Sequence, residues 1–152
     1  MSTPPTGRTI TNRARVAAPA GAVFGLLADP VRKPEWNDQL LRVEPLGPAP
    51  LQAGSRFRAR CAGPVGEMRI SYDEVSAPLS WRTHGVSDRL EVRLSGAIAE
   101  TADGCAVTLV TSLLPKGWLR LAGPAVAATM RRAWDRHLEV IRQRLEAAAP
   151  AS

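Results

Sequence analysis

The feature that most constrains how this chain folds is a series of short segments in which apolar and charged residues alternate. In residues 55–62, SRFRARCA, the apolar side chains fall on odd numbers from 57 and three arginines fall on even numbers. Residues 67–75 and 89–94 repeat the pattern with other residues. A period of two places successive side chains on opposite faces of a strand. A sheet with one charged and one apolar face is antiparallel and covered on one side only.

Turn-forming residues divide the chain into strands and leave one short helix near the start. Residues 63–66, GPVG, and Asp103-Gly104 are typical turn signals between alternating segments. In residues 19–29, PAGAVFGLLAD, the apolar spacing predicts a short helix that ends at Asp29-Pro30, because proline breaks a helix. The predicted strands are residues 9–16, 39–46, 55–62, 67–75, 79–86, 89–100 and 105–114.

The C-terminal part of the chain changes to a helical period and supplies the cover for the apolar face. Residues 124–148 have apolar side chains on one stripe at about 100° per residue. That stripe consists of Val126, Met130, Trp134, Leu138, Ile141 and Leu145. A helix of about 25 residues spans about 37 Å, which is enough to cross the sheet. We therefore predict an α+β domain in which a curved antiparallel sheet of about seven strands surrounds one long C-terminal helix.

Length and charge limit the classes of protein that this chain can belong to. With 152 residues we expect one domain, residues 9–148, between a flexible N-terminus (1–8) and a flexible tail (149–152). The net charge of +6 comes mostly from arginines that are spread along the chain, which favours a solvated basic surface and no nucleic-acid partner. No apolar run approaches the roughly 18 residues of a membrane span, so no stable membrane insertion is expected.

The N-terminus and the cysteines bear on the cellular compartment. Residues 1–14 hold no apolar segment of the signal-peptide type, and Cys61 and Cys105 do not form a disulfide framework. We expect a cytoplasmic protein with free thiols, either a monomer or a homodimer.

Strand parity and the helical stripe define the side chains that are expected between sheet and helix. Most are apolar, and a few carry one neutral polar group, which is typical of a ligand pocket but equally of plain core packing. The candidate ligand-binding residues are Trp36, Phe57, Ala59, Cys61, Met68, Ile70, Tyr72, Trp81, Thr83, Val92, Leu94, Leu109, Met130 and Trp134. On the last strand, which is apolar on both parities, Val107 and Thr111 are further candidates.

The order of the motifs resembles a known family. Residues 16–47, VAAPAGAVFGLLADPVRKPEWNDQLLRVEPLG, are similar to the opening of the polyketide cyclase/dehydrase and lipid-transport proteins of the START-like (SRPBCC) superfamily. DEVSAPLSWRT, TADGCAVTLVTSL and GPAVAATMRRAWDRHLEVIRQRLE follow in the family's order, so the resemblance covers about residues 9–147. Phe24 stands where the family often has tryptophan. The resemblance implies a helix-grip fold with a deep cavity for hydrophobic or aromatic, polyketide- or lipid-like molecules.

Residues for catalysis are sparse. The two histidines are far apart, the cysteines lack metal-ligand spacing and the strand carboxylates fall on the outward parity, so we expect no metal and no cofactor. Tyr72, Thr83 and His137 are the candidate catalytic groups, with His137 at the inward edge of the helical stripe. Each has a structural alternative, which for His137 is a boundary histidine bonded to the sheet or to water. His84 shares the outward parity of Arg82.

Three functions are compatible with this sequence. The first is a binding or carrier protein for a small hydrophobic molecule, and the second is an aromatase/cyclase or dehydratase for a polyketide-like substrate. The third is a protein-interaction module like the heat-shock ATPase activators, which needs an exposed apolar patch that the outward positions do not provide. Trp36, which follows Asp29-Pro30 and Pro34, is expected either to form a wall or lid of the cavity or to seal one end of the core.

Overall fold

The computed structural model describes residues 8–47 and 50–148 of the chain. Its elements in chain order are β1 (Arg8–Val16), α1 (Ala20–Leu27), β2 (Leu40–Pro45), β3 (Arg56–Cys61), β4 (Glu67–Ser76), β5 (Ser80–Val86), β6 (Leu90–Thr101), β7 (Gly104–Pro115) and α2 (Gly123–Ala148). Short 3-10 turns lie at Lys33–Glu35, Gly63–Val65 and Gly117–Ala122. Of the flexible ends expected from the sequence, residues 1–7 and 149–152 lie outside the described residues, and Arg8 already begins β1.

The strands form one antiparallel sheet in the order β1-β7-β6-β5-β4-β3-β2. Strands β2 to β7 each pair with their neighbour in sequence, whereas β1 pairs with β7, so that β1 and β2 form the two edges of the sheet. This confirms the predicted curved antiparallel sheet and its long C-terminal helix.

Helix α2 packs its predicted apolar stripe against the sheet. Trp134, Leu138 and Ile141 are buried, while Met130 is half-buried near the N-terminal half of the helix. A polar contact also fixes the helix, because the buried Asn12 on β1 donates from Nδ2 to the Arg131 carbonyl oxygen at 3.0 Å and to Asp135 Oδ1 at 2.8 Å. Within the described residues, no helix is both long and apolar enough to cross a membrane.

Cross-strand pairing shows which side chains of β7 point toward the inner face of the sheet, a question that the sequence left open. Its odd-numbered residues from Cys105 to Leu113 are buried and its even-numbered residues are only half-buried. The register aligns Thr111 with Leu94 on β6, whose apolar parity faces α2. Because neighbours in register share a face of the sheet, Val107, Leu109 and Thr111 face inward.

Candidate ligand-binding cavity

A cavity of about 150 Å³ lies between the concave face of the sheet, α2 and the segment that follows α1. Its wall is mostly apolar, with a few polar side chains at separate points. The lining residues are Lys33, Asn37, Gln39, Leu40, Cys61, Ala62, Val65, Met68, Ile70, Thr83, Gly85, Leu90, Val92, Leu94, Thr111, Met130, Trp134 and His137. Gln39 is exposed and Ala62 and Val65 are half-buried, so these residues mark the mouth of the cavity.

Two threonine hydroxyls lie on the sheet side of the cavity. Thr83 on β5, Leu94 on β6 and Thr111 on β7 are aligned across three neighbouring strands. Thr111 is fully buried, and its Oγ1 has no hydrogen-bond partner among the described residues. Buried hydroxyls are normally hydrogen-bonded, so this oxygen is available to a molecule that enters the cavity.

His137 lines the cavity from α2. The side chain is 3% exposed, and its Nε2 lies 3.2 Å from Oδ1 of Asp38. Burial lowers the pKa of His137, so the imidazole is neutral at pH 7, and its hydrogen bond in turn lowers the pKa of Asp38. A neutral ring that donates from Nε2 carries a lone pair on Nδ1, and this buried nitrogen has no partner in the described residues.

Lys33 brings a positive charge to the cavity. The residue is 5% exposed and lines the cavity, with its Nζ 5.9 Å from the centre of the Tyr72 ring. It forms no ion pair with any carboxylate that the structure describes. Burial lowers the pKa of Lys33 to about 8, although the negative charge of Asp29 opposes this effect.

The burial of Lys33 is not predicted by the sequence, because lysines in a charged, proline-containing stretch are normally exposed. The 3-10 turn Lys33–Glu35 places Lys33 and Trp36 on its inner side and leaves Arg32 and Glu35 exposed. Lys33 and Trp36 are three residues apart, and this spacing places two side chains on the same side of a helical turn. The two nearby prolines argue against a helix, so the turn is not predicted from the sequence. The inward set was expected to be almost free of charge, and Lys33 corrects that expectation.

Tyr72 is buried but does not line the cavity. Its hydroxyl donates a hydrogen bond to the carbonyl oxygen of Ala28, just after α1, and burial raises its pKa. The ring packs edge-on against Phe57 at 5.7 Å between ring centres. The hydroxyl of this catalytic candidate is therefore already hydrogen-bonded to the backbone. Of the three candidates, only Thr83 and His137 line the cavity.

The predicted ligand-binding residues divide into two groups in the structure. Eight line the cavity, namely Cys61, Met68, Ile70, Thr83, Val92, Leu94, Met130 and Trp134. Six are buried in the surrounding core, namely Trp36, Phe57, Ala59, Tyr72, Trp81 and Leu109. For the strand residues of both groups, parity identifies the inward face of the sheet, but α1 covers part of that face.

Trp81 illustrates why a residue of the right parity lies outside the wall. It is fully buried and pairs with Gly96 on β6, where an added Cβ would come within 2.3 Å of the indole ring. Phe24 on α1 packs edge-on against the same ring, with 5.6 Å between the ring centres. The indole therefore fills the space between the sheet and α1 and is not part of the cavity wall.

Trp36 packs behind the cavity wall. It is 4% exposed, its indole nitrogen donates to the Leu26 carbonyl oxygen at 2.9 Å, and its ring centre lies 5.8 Å from those of Trp134 and His137. Trp134 and His137 line the cavity, whereas Trp36 does not. This placement favours the second expectation, in which Trp36 seals one end of the core.

The remaining reactive groups show no sign of activation. Burial raises the pKa of the Cys61 thiol, which keeps it protonated at neutral pH. His84 lies on the outer face, half-buried, with Nε2 2.6 Å from Glu91 Oε1. In the part of the chain that the structure describes, no group of three or more His, Cys, Asp or Glu side chains is arranged to hold a metal ion.

A curved antiparallel sheet that grips a long helix around a cavity is the helix-grip fold. The family model described as polyketide cyclase / dehydrase and lipid transport matches residues 8–146, and the chain belongs to this family. This confirms the resemblance that the sequence motifs carry. No curated protein sequence matches the chain.

Solved structures of low sequence identity share the fold. The Zhui aromatase/cyclase from Streptomyces sp. R1128 is 14% identical, with a TM-score of 0.77 over 92% of this chain and 94% of that one. A START superfamily protein from Mycobacterium smegmatis is 14% identical, with a TM-score of 0.71 over 93% and 99%. The di-domain aromatase/cyclase StfQ from the steffimycin biosynthetic pathway is 12% identical, with a TM-score of 0.77 over 94% of this chain and 52% of that one.

Proposed function

We propose that this protein binds a small, largely apolar molecule, aromatic or polyketide- or lipid-like, in the cavity between the sheet and α2. The observation that carries the proposal is the cavity itself, whose apolar wall holds a few polar groups at separate points. Ligand sites usually combine an apolar surface with a few polar groups that orient the ligand. Thr111 Oγ1, which has no partner within the described residues, is one such group.

The size of the cavity limits the part of a ligand that it can enclose. A cavity of about 150 Å³ is large enough for about one benzene ring. A second ring can extend toward the mouth near Gln39 and Val65, where the wall is exposed or half-buried. A naphthalene-sized molecule is therefore a suitable probe.

Filling the cavity is expected to weaken binding of the neutral probe 2-naphthamide. Met130→Trp places a larger side chain in the wall, and we expect its affinity for 2-naphthamide to fall at least about tenfold, since the ring would occupy the ligand's space. Isothermal titration calorimetry measures this affinity. The control Thr129→Trp introduces the same side chain at an exposed position of α2 and should bind as the wild type does. Equal affinities in all three proteins, or no binding to the wild type, would rule out the proposed site.

The second candidate function is catalysis of the aromatase/cyclase or dehydratase type. The observation that favours it is His137, a neutral imidazole in the cavity wall whose Nδ1 has no partner in the described residues. Such a nitrogen can accept a proton from the carbon beside a ketone. The similarity in fold to a Streptomyces aromatase/cyclase is in line with this candidate.

If His137 abstracts a proton, the wild-type protein should accelerate the exchange of the methyl protons of 2-acetylnaphthalene for deuterium in heavy water, relative to the uncatalysed exchange. NMR measures the exchange rate. The His137→Phe variant is expected to lose the acceleration, about a hundredfold for a general base, while it still binds 2-naphthamide. The control Tyr72→Phe should keep the acceleration, because the Tyr72 hydroxyl is hydrogen-bonded to the Ala28 carbonyl oxygen and Tyr72 does not line the cavity. Exchange at the uncatalysed rate in the wild type would leave binding alone as the function.

The third function, a protein-interaction module, has less support. The expectation of no apolar patch concerned the outward positions of the strands, but outside them the 3-10 turn Gly117–Ala122 exposes Trp118 by 53% and Leu121 by 91%. Arg89 covers part of Trp118, with its guanidinium carbon 5.3 Å from the ring centre. No observation indicates what would cover the remaining apolar surface.

A further inference from the structure

Lys33 is a buried charged group that forms no ion pair with any carboxylate of the described residues, although the negative charge of Asp29 is near enough to raise its pKa. Of the cavity-lining residues that the structure describes, Lys33 alone carries a formal charge at neutral pH, because no carboxylate lines the wall and His137 is neutral. Moving an ammonium group out of water without an ionic partner is costly. The Tyr72 ring, 5.9 Å from Nζ, offsets only a small part of this cost.

The positive charge of Lys33 at this end of the cavity suits a hydrogen-bond acceptor with a negative charge. Lys33 offers N–H donors and a positive charge but no acceptor. Nearby on β5, Thr83 is directly opposite Tyr72 in the sheet, so its hydroxyl belongs to the same end of the wall. The apolar residues Leu94, Val92 and Met130 form other parts of the wall and suit a hydrocarbon or aromatic body.

We propose that the cavity selects small apolar acids, with an ionised oxygen of the ligand paired to Nζ of Lys33 and its apolar body against Leu94, Val92 and Met130. This inference rests on the proposed function of the cavity as a binding site. Lys33 thereby acts as the residue that determines which polar head group the cavity accepts. The uncharged analogue of such an acid fits the same space but leaves the ammonium group without a counterion.

A matched pair of probes tests this inference separately from the proposed function. The probes are 2-naphthoate and 2-naphthamide, which differ by the charge on one polar group, and the measurement is isothermal titration calorimetry at pH 7. We expect wild-type protein to bind 2-naphthoate about tenfold to hundredfold more tightly than 2-naphthamide, the range of a charge-assisted hydrogen bond. In Lys33→Met and Lys33→Gln the preference for 2-naphthoate over 2-naphthamide should disappear, because both variants lack the positive charge.

The control for general attraction of anions to this basic protein is Arg32→Met. It removes one positive charge beside Lys33 from a side chain that is 48% exposed and does not line the cavity, so the preference should remain. Equal binding of the two probes by the wild type, or a preference that survives in both Lys33 variants, overturns the inference and leaves the cavity proposal standing. Failure of both probes to bind the wild type overturns the proposed function together with this inference.

Discussion

Lys33→Met is expected to raise the free energy of unfolding at pH 7 by about 2 to 3 kcal/mol in the absence of ligand. A lysine pKa of about 8 in place of 10.5 corresponds to about 3 kcal/mol for keeping the buried ammonium group charged. Methionine removes the charge and retains an apolar chain of similar length, at the loss of a weak contact with the Tyr72 ring. Urea denaturation of the two proteins measures the difference.

The pH dependence of this difference identifies its cause. Folding lowers the pKa of Lys33, so between pH 8 and 10.5 the unfolded chain binds more protons than the folded protein. The free energy of unfolding of the wild type therefore rises with pH through that window. The advantage of the methionine variant is therefore full below pH 8 and declines up to about pH 10.5. The negative charge of Asp29 raises the pKa of Lys33 and so reduces this effect. His137 and Cys61, the other titratable groups of the wall, are neutral at pH 7.

Two results would contradict this account of Lys33. A variant that is less stable than the wild type at pH 7 would mean that the lysine stabilises the fold, and a difference that does not change with pH would exclude the buried charge as its cause. The control Arg32→Met, at an exposed position, should change the stability by no more than about 0.5 kcal/mol. A stability gain together with a loss of anion affinity would identify a residue that is retained for binding at the expense of stability.

Trp36→Ala is expected to lower the free energy of unfolding by about 3 to 5 kcal/mol, the usual range for a large aromatic side chain removed from a core. The substitution removes the contacts with Trp134 and His137 and the hydrogen bond to the Leu26 carbonyl oxygen. Chemical denaturation followed by circular dichroism measures the loss. Since Trp36 does not line the cavity, Trp36→Phe, which keeps most of the packing, should bind 2-naphthamide within a few-fold of the wild type.

The control for this second prediction is the same substitution at an exposed tryptophan. Trp118→Ala removes an indole that is 53% exposed and contacts Arg89, so its cost should stay at or below about 1 kcal/mol. If Trp36→Ala left the stability nearly intact and abolished binding of 2-naphthamide, Trp36 would form the cavity wall after all.

Much of the fold could be predicted because its signals are local and periodic. The alternation in β3, β4 and β6 depends only on the two-residue period of a strand, and the stripe from Val126 to Leu145 only on the period of a helix. Each of these segments therefore indicates its own buried face. On β7, apolar residues at both parities removed that signal, and only pairing with β6 decided which side chains face inward.

The candidate site was less accessible to prediction, since it depends on which parts of the apolar face are covered. Phe57, Tyr72 and Trp81 have the same inward orientation as Ile70 and Thr83, but the first three are packed in the core and the last two line the cavity. Contacts with the neighbouring core, such as the one between Tyr72 and the Ala28 carbonyl, occur between residues far apart in sequence. The two-residue period of β3 to β5 therefore does not predict which inward side chains these contacts cover.

The sequence by itself determined the order of the elements, the buried face of most strands and of α2, and through its ordered motifs the family. Tertiary structure decided the position and size of the cavity and the burial of Lys33. A lysine in a short charged stretch is normally solvated, and only the turn after α1, held against Trp134 and the sheet, moves this one away from water. Burial is a property of all the elements around a side chain, which is why the residue with the most specific chemistry in the cavity was the one that local pattern did not predict.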